Sequence, residues 1–145
     1  MKKSIKIIMC VVIIIALVFG VWWVTPKTFP KVDSQDVAEI QLFNGNTGET
    51  VVIDDRETID YIISEMQSTS YHTKGLALGM GTSFHVNMYD AYGTFLGDVV
   101  VQSEQTLKVG NWFYEASTAG AIVDLHAFLE EINGFAYKSS LENNS

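Results

Sequence analysis

Apolar residues follow three rhythms along the chain, and the first of them is unbroken. Ile7 and Val24 bound eighteen consecutive uncharged, apolar residues. As a helix rising ~1.5 Å per residue, this run spans ~27 Å, enough for the hydrocarbon core of a bilayer. A soluble core helix of that composition needs a protein large enough to cover it on all sides, and a chain of 145 residues offers no such interior. Lys2, Lys3 and Lys6 precede the run, which predicts that residues 1–6 stay in the cytoplasm. Trp22 and Trp23 stand at its far end, where indole rings favour the headgroup zone. The expectation is a single-pass signal anchor over residues 7–24, with the membrane as its partner and the rest of the chain extracytoplasmic. A cleaved secretory signal is the competing reading, because Val18 and Gly20 form an acceptable small-residue cleavage pattern, but the apolar run exceeds the usual ~7–15 residues of such signals. Cys10 lies too early in the run to be a lipid-modified cysteine of the lipoprotein type.

The second rhythm has helical period. Ile59, Ile62, Ile63 and Met66 recur at i, i+3, i+4 and i+7 behind Asp54 and Asp55, either of which suits an N-cap, with Asp55, Glu57 and Asp60 complementing the helix dipole. A second stripe, Ile122, Leu125, Leu129 and Ile132, predicts a closing helix with Gly134 as its stop.

The third rhythm is alternation. Val37, Ile40, Leu42 and Phe43 lead into Asn44-Gly45-Asn46-Thr47-Gly48 and out through Val51, Val52 and Ile53, a hairpin signature. Phe84, Val86 and Met88 alternate with His85, Asn87 and Tyr89 before the turn Asp90-Ala91-Tyr92-Gly93. Strands at 95–101, 107–109 and 112–116 follow, the last two joined by Gly110-Asn111, so four strands form a meander. The predicted fold is α+β: an antiparallel sheet packed on two helices, in the order ββα, ββββ, α. Regular β/α alternation is missing, which disfavours a doubly wound dinucleotide fold. Pro26 and Pro30 predict a stiff, extended spacer over residues 25–31 that holds the domain off the bilayer. The domain then covers residues 32–137, and the polar residues 138–145 read as a frayed tail.

Charge narrows the function classes. Beyond residue 24 stand six basic side chains against all seventeen acids, a net −11. A body of that sign repels phosphate backbones, so nucleic acid is excluded as a partner. One cysteine allows neither an internal disulfide nor a cysteine-based zinc cluster. His72, His85 and His126 show no metal-ligand spacing, and no metal or other cofactor is expected. The Asn44–Glu49 turn has alternating oxygen ligands, yet Gly48 stands where a third ligand is needed, and a plain hairpin turn fits better. Residues 75–82 are glycine-rich but lack a phosphate-binding lysine and a following helix. A mobile loop or irregular edge strand is expected there, leaving Leu76, Leu78 and Met80 available to a partner. The Asp54-Asp55 and Glu130-Glu131 pairs sit at predicted helix ends, and the chain has no Gly-x-Ser-x-Gly elbow, so no catalytic residue is assigned.

The remaining candidate is an aromatic sheet face. If Phe84, Val86 and Met88 point into the core, His85, Asn87 and Tyr89 share the opposite face, joined by either Trp112 with Tyr114 or Phe113. Such side chains combine contact area with polar handles, as recognition surfaces do. The competing reading is a second, smaller core covered by loops. The candidate binding set is His85, Asn87, Tyr89, Trp112 and Tyr114.

The run Ile40-Gln41-Leu42-Phe43-Asn44-Gly45-Asn46-Thr47-Gly48-Glu49-Thr50-Val51-Val52-Ile53, with the Ile-rich helix and the Tyr-Asp-x-x-Gly turn after it, resembles the uncharacterised YhfM-like domains of Gram-positive bacteria, which are small and membrane-tethered or lipoproteins. The resemblance spans residues 37–133 and implies an envelope location and an α+β fold. That family has no assigned reaction, so no functional residue is carried over, and its lipoprotein members' cysteine after the signal has no counterpart here. The expected function is a non-enzymatic module that binds a protein or an envelope component. A small-ligand or calcium sensor and an envelope hydrolase with a spatially assembled site are the alternatives.

Overall fold

A computed structural model describes residues 2–79 and 83–143, with side chains described over 3–79 and 83–134. Helix α1 (Lys2–Val24) is 23 residues long, free of acids, and exposed from Ile7 to Val21, with Trp22 and Trp23 half-buried. It is long and apolar enough to cross a membrane. A 3-10 turn at Ser34–Asp36 leads into β1 (Glu39–Asn44), β2 (Thr50–Ile53), α2 (Arg56–Gln67), β3 (Tyr71–Leu76), β4 (Phe84–Tyr89), β5 (Phe95–Val101), β6 (Thr106–Val109), β7 (Trp112–Ala116) and α3 (Val123–Asn143).

The seven strands form one antiparallel sheet in the order β2-β1-β4-β5-β6-β7-β3. Its class is α+β, as the patterning predicts, but the order gains a strand. The Ser/Thr-rich break after α2 contains β3, an edge strand on β7 in which Tyr71 and Thr73 are buried while His72 and Lys74 are exposed. A bulge at Lys74 shifts the register between Thr73 and Gly75. Of the glycine-rich segment, Gly75 and Leu76 belong to this strand, whereas Met80, Gly81 and Thr82 lie outside the described residues.

Helix α2 forms where its stripe predicts. Asp55 rather than Asp54 caps it, accepting from the Thr58 amide at 2.8 Å, and Ile59, Ile62, Ile63 and Met66 are all buried. These four join Ile122, Leu125 and Leu129 from the second stripe in one cluster with Ile40, Leu42, Phe84, Val86, Met88, Val99, Val101 and Leu107 from the sheet. Strand residues of a single parity thus meet the helices, and the alternate set faces away. Helix α3 does not stop at Gly134 but runs on to Asn143, so the tail expected from residue 138 is helical as far as the structure describes it. The reason is conformational: glycine ends a helix by adopting positive φ, and Gly134 is not among the glycines that do so.

Residues 25–31 are also not a free spacer. Lys27 and Tyr71 exchange backbone hydrogen bonds at 2.8 and 2.7 Å, which adds a bridge outside β3. Phe29 is 6% exposed and packs on Tyr114 and Tyr71, with ring centroids 4.6 and 6.1 Å away. From α2, the Gln67 amide donates to the carbonyls of Pro30 and Val32 at 2.9 and 3.0 Å. Two prolines stiffen the segment, but the aromatic ring between them draws it into the core. Burying a phenylalanine is worth ~1.5–3 kcal/mol.

Candidate functional site

Register decides which side chains share a face, because directly paired residues of antiparallel strands point the same way. His85 pairs with Phe43 and Val100, Asn87 with Gln41 and Asp98, and Tyr89 with Glu39 and, across a bulge, Phe95. Val100 pairs with Lys108, and Lys108 with Phe113. His85, Asn87 and Tyr89 therefore share the face away from the helices with Phe43 and Phe113. Their rings are organised in pairs: Phe43 stands edge-on to His85 with centroids 5.5 Å apart, and Tyr89 stands edge-on to Phe95 at 5.7 Å. Between them Gln41 donates to Glu39 at 2.8 Å. The three residues of β4 are half-buried, and Val100, between His85 and Lys108, is only 4% exposed. The face thus has an ordered floor with partly exposed aromatic and amide groups on it.

Trp112 and Tyr114 do not belong to this face. Val109 pairs with Trp112 and Leu107 with Tyr114, and Leu107 lies in the core, so both aromatics point to the helix side. Tyr114 is 6% exposed against Phe29, and burial raises its hydroxyl pKa. Of the two arrangements open in the sequence, Phe113 is the one the register selects. The signal was present: Leu107 and Lys108 set the parity of β6, and the two-residue loop carries that parity into β7.

Trp112 instead meets α1. Its ring is edge-on to Trp22 at 5.2 Å and to Trp23 at 5.9 Å, and Phe19 packs on both of those indoles at 5.7 and 5.8 Å. An apolar groove of about 540 Å³ runs between them, lined by Ile14, Ile15, Val18, Phe19, Trp22 and Trp112. Lys27 closes the junction. Its ammonium lies 4.6 Å over the Trp22 ring and donates to the carbonyls of Trp22 (2.7 Å) and Thr25 (3.0 Å) and to the Thr73 hydroxyl (3.1 Å). A cation at the C-terminal carbonyls of a helix is favoured by the helix dipole. Burial and, secondarily, Lys31 lower the Lys27 pKa.

The other candidates are dispersed. His72 pairs with Glu115 at the β3 edge, four strands from His85 and so about 19 Å away at the usual strand spacing. His126 is on α3 at the helix side, its ring edge-on to Phe84 at 5.5 Å and its Nδ1 3.8 Å from Glu130. Among the described residues no three His, Cys, Asp or Glu side chains gather as metal ligands. In the β1–β2 turn, the Asn44 carboxamide oxygen accepts from the Asn46 amide at 2.8 Å, an Asx turn that uses one of the oxygens a calcium loop would need. Two smaller hollows, of about 320 and 310 Å³, are lined by Glu57, Thr58, Tyr61 and Phe128 and by residues 102–105 with His126. The second hollow brings Ser103, Glu104 and His126 to one wall, where the Ser103 hydroxyl accepts from the Gln105 and Thr106 amides at 3.3 and 3.2 Å while His126 faces Phe84 and Glu130. Compared with protein-family models, curated proteins and solved structures, the chain finds no match in any of the three.

Proposed function

We propose that this chain is a membrane-anchored, extracytoplasmic binding module without enzymatic activity, which takes a protein or a cell-envelope component on the sheet face around His85, Asn87, Tyr89 and Phe113. The observation that carries this reading is the one-sided sheet. Helices cover one face, while the other holds Phe43, His85, Tyr89, Phe95 and Phe113 with amides and charges between them. Aromatic rings fixed by edge-on partners supply contact area at little conformational cost, and Asn87, Gln41 and Lys108 supply directional hydrogen bonds. The net −11 beyond residue 24 favours a partner with basic character. The three lysines in the first turns of α1, ahead of its apolar run, and the tryptophans at its end support a cytoplasmic N-terminus and an outward-facing domain.

Photo-crosslinking in intact cells tests the reading. A benzophenone amino acid replaces Tyr89 or Phe113, with the exposed Glu57 on α2 as the reference position, and adducts are identified by mass spectrometry. One reproducible species from 89 and 113, missing at 57 and lost in the His85→Ala/Asn87→Ala variant, is the expected result. Equal adducts at all three positions would remove the face as a binding site.

A further inference from the structure

We infer that the domain rests on the bilayer: Leu76, Leu78 and Trp112 are seated in the outer-leaflet interface beside α1, and lipid acyl chains fill the groove between Trp112 and the helix. This rests on the membrane-anchor reading of α1. It reverses the expectation that residues 25–31 keep the domain at a distance.

The depth of α1 sets the depth of the hairpin tip. Trp112 touches both Trp22 and Trp23, the indoles at the outward end of the apolar run. It also shares a groove wall with Ile14, Ile15, Val18 and Phe19. At ~1.5 Å per residue, those positions reach about 12 Å along the helix from Trp22 toward the middle of the run. Wherever the bilayer holds Trp22, the β6–β7 tip is within a ring contact of the same level. The neighbouring residues have the character that this location demands. Leu76 pairs with Trp112 and is 54% exposed, while Leu78 is 88% exposed and follows Ala77, whose amide donates to the Asn111 carbonyl at 2.8 Å. Two largely exposed leucines and a tryptophan, continuous with a lipid-exposed helix, form one apolar surface, and interfacial tryptophans prefer the headgroup boundary. The linker holds this arrangement in place. Lys27 bonds α1 to Thr73, and Phe29 is locked in the core, so the tip does not swing away from the helix.

Lipid is the occupant that this geometry favours, because the surface continues that of a helix whose own apolar side chains are exposed from Ile7 to Val21. The contact is apolar rather than electrostatic, since the acidic body gains nothing from anionic headgroups.

Site-directed spin labelling of the full chain in phosphatidylcholine vesicles tests the inference. In a Cys10→Ala background, single cysteines at Leu78, at Val18 in α1 and at Thr47 in the β1–β2 turn carry the label. The Asn44 end of β1 pairs with Phe84, at the opposite end of the strands from the β6–β7 tip, so 47 serves as the water reference. Positions 78, 18 and 47 are exposed, and labelling them leaves the core intact. The expected result is collision with oxygen favoured over a nickel chelate at 18 and 78, and the reverse at 47. A lipid-like 18 with a water-like 78 would overturn the seating while leaving the anchor in place. A label at 78 shielded from both reagents would overturn it in favour of protein contact, such as a second copy of the chain. A water-like 18 would remove the anchor and the inference together.

Discussion

The indole of Trp112 stands edge-on to that of Trp22, 5.2 Å between centroids, and joins two residues 90 positions apart in the chain. One belongs to the apolar helix and the other to the tip of a sheet hairpin, so the contact makes helix α1 and the domain a single packed unit. Edge-to-face aromatic pairs are worth about 0.5–1.5 kcal/mol beyond the area they bury, and Trp112 makes two. Replacing Trp112 by Ala in the full chain is expected to lower the thermal midpoint measured in detergent micelles, and Trp112→Phe to restore most of the loss. Truncation of α1 should abolish the difference between the two variants; a difference that survives truncation would place the stabilising contacts of Trp112 within the domain instead.

Phe29 gives a direct test of the linker. Because its ring fills a site between Tyr71 and Tyr114, Phe29→Ala should cost about 3–5 kcal/mol in urea denaturation, the usual range for a buried aromatic. Pro26 lies before the buried stretch, and Pro26→Ala should change stability little. Equal, small effects for both substitutions would return the segment to the status of a spacer.

Tyr71 is fully buried and donates its hydroxyl to the Met66 carbonyl at 2.7 Å. Burial, reinforced by Glu65, holds its pKa well above the usual tyrosine value near 10. The folded state therefore binds a proton that the unfolded chain releases above pH 10. Stability is undiminished below that pH and falls as pH rises beyond it, with Tyr114 contributing in the same direction. Tyr71→Phe should cost about 1–2 kcal/mol at pH 8 and flatten the decline between pH 10 and 12. A variant whose midpoint falls as steeply as that of the parent over this range would exclude Tyr71 as the source.

Three carboxyls act at the acid end. Asp55 at the α2 cap, Asp60 beside Ser34 and Arg56, and Asp90 in its turn each accept hydrogen bonds that hold their pKa below the ordinary value of 3.8. Their contributions are present above that pH and fade as it falls through the lowered folded values. Asp55→Ala should remove about 1 kcal/mol at neutral pH and make the acid limb shallower, as circular dichroism between pH 5 and 2 will read. An unchanged acid limb would assign it to the other two.

Asn133 offers a substitution of the opposite sign. Its side-chain nitrogen donates to the Leu129 carbonyl at 3.0 Å, but its Oδ1 is buried without a hydrogen-bond partner among the described residues. Asn133→Leu should raise stability by about 1 kcal/mol, since an unsatisfied buried acceptor costs more than its own-helix bond returns. A loss of stability would place a partner for Oδ1 outside the described side chains.

The legible parts of the fold were those with a local cause. Turn chemistry fixed the Asn44–Gly48, Asp90–Gly93 and Gly110–Asn111 reversals, and the Ile59–Met66 stripe fixed the buried side of α2. Strand β3 escaped because Thr73 reads as polar in a pattern although it is buried, and because its pairing with β7 spans about forty residues. The linker escaped for a similar reason: prolines signal locally, whereas the pocket for Phe29 is made by Tyr71 and Tyr114 from far along the chain. The candidate face was partly legible. Strand β4 shows its alternation openly, but membership of Phe43, Phe95 and Phe113 depends on register across five strands, which patterning alone does not supply.

The bonds of Lys27 and the burial of Phe29 also bear on how a partner finds this domain. A free seven-residue tether would let the domain wander over about 14 Å and turn at will. Docked as it is, the domain keeps one position and one tilt relative to α1, so on the proposed seating its sheet face travels through a thin slab above the membrane. On that proposal, a partner anchored in the same bilayer searches in two dimensions for a surface already aimed. Much of the rotational entropy ordinarily surrendered on association has been given up beforehand, during folding.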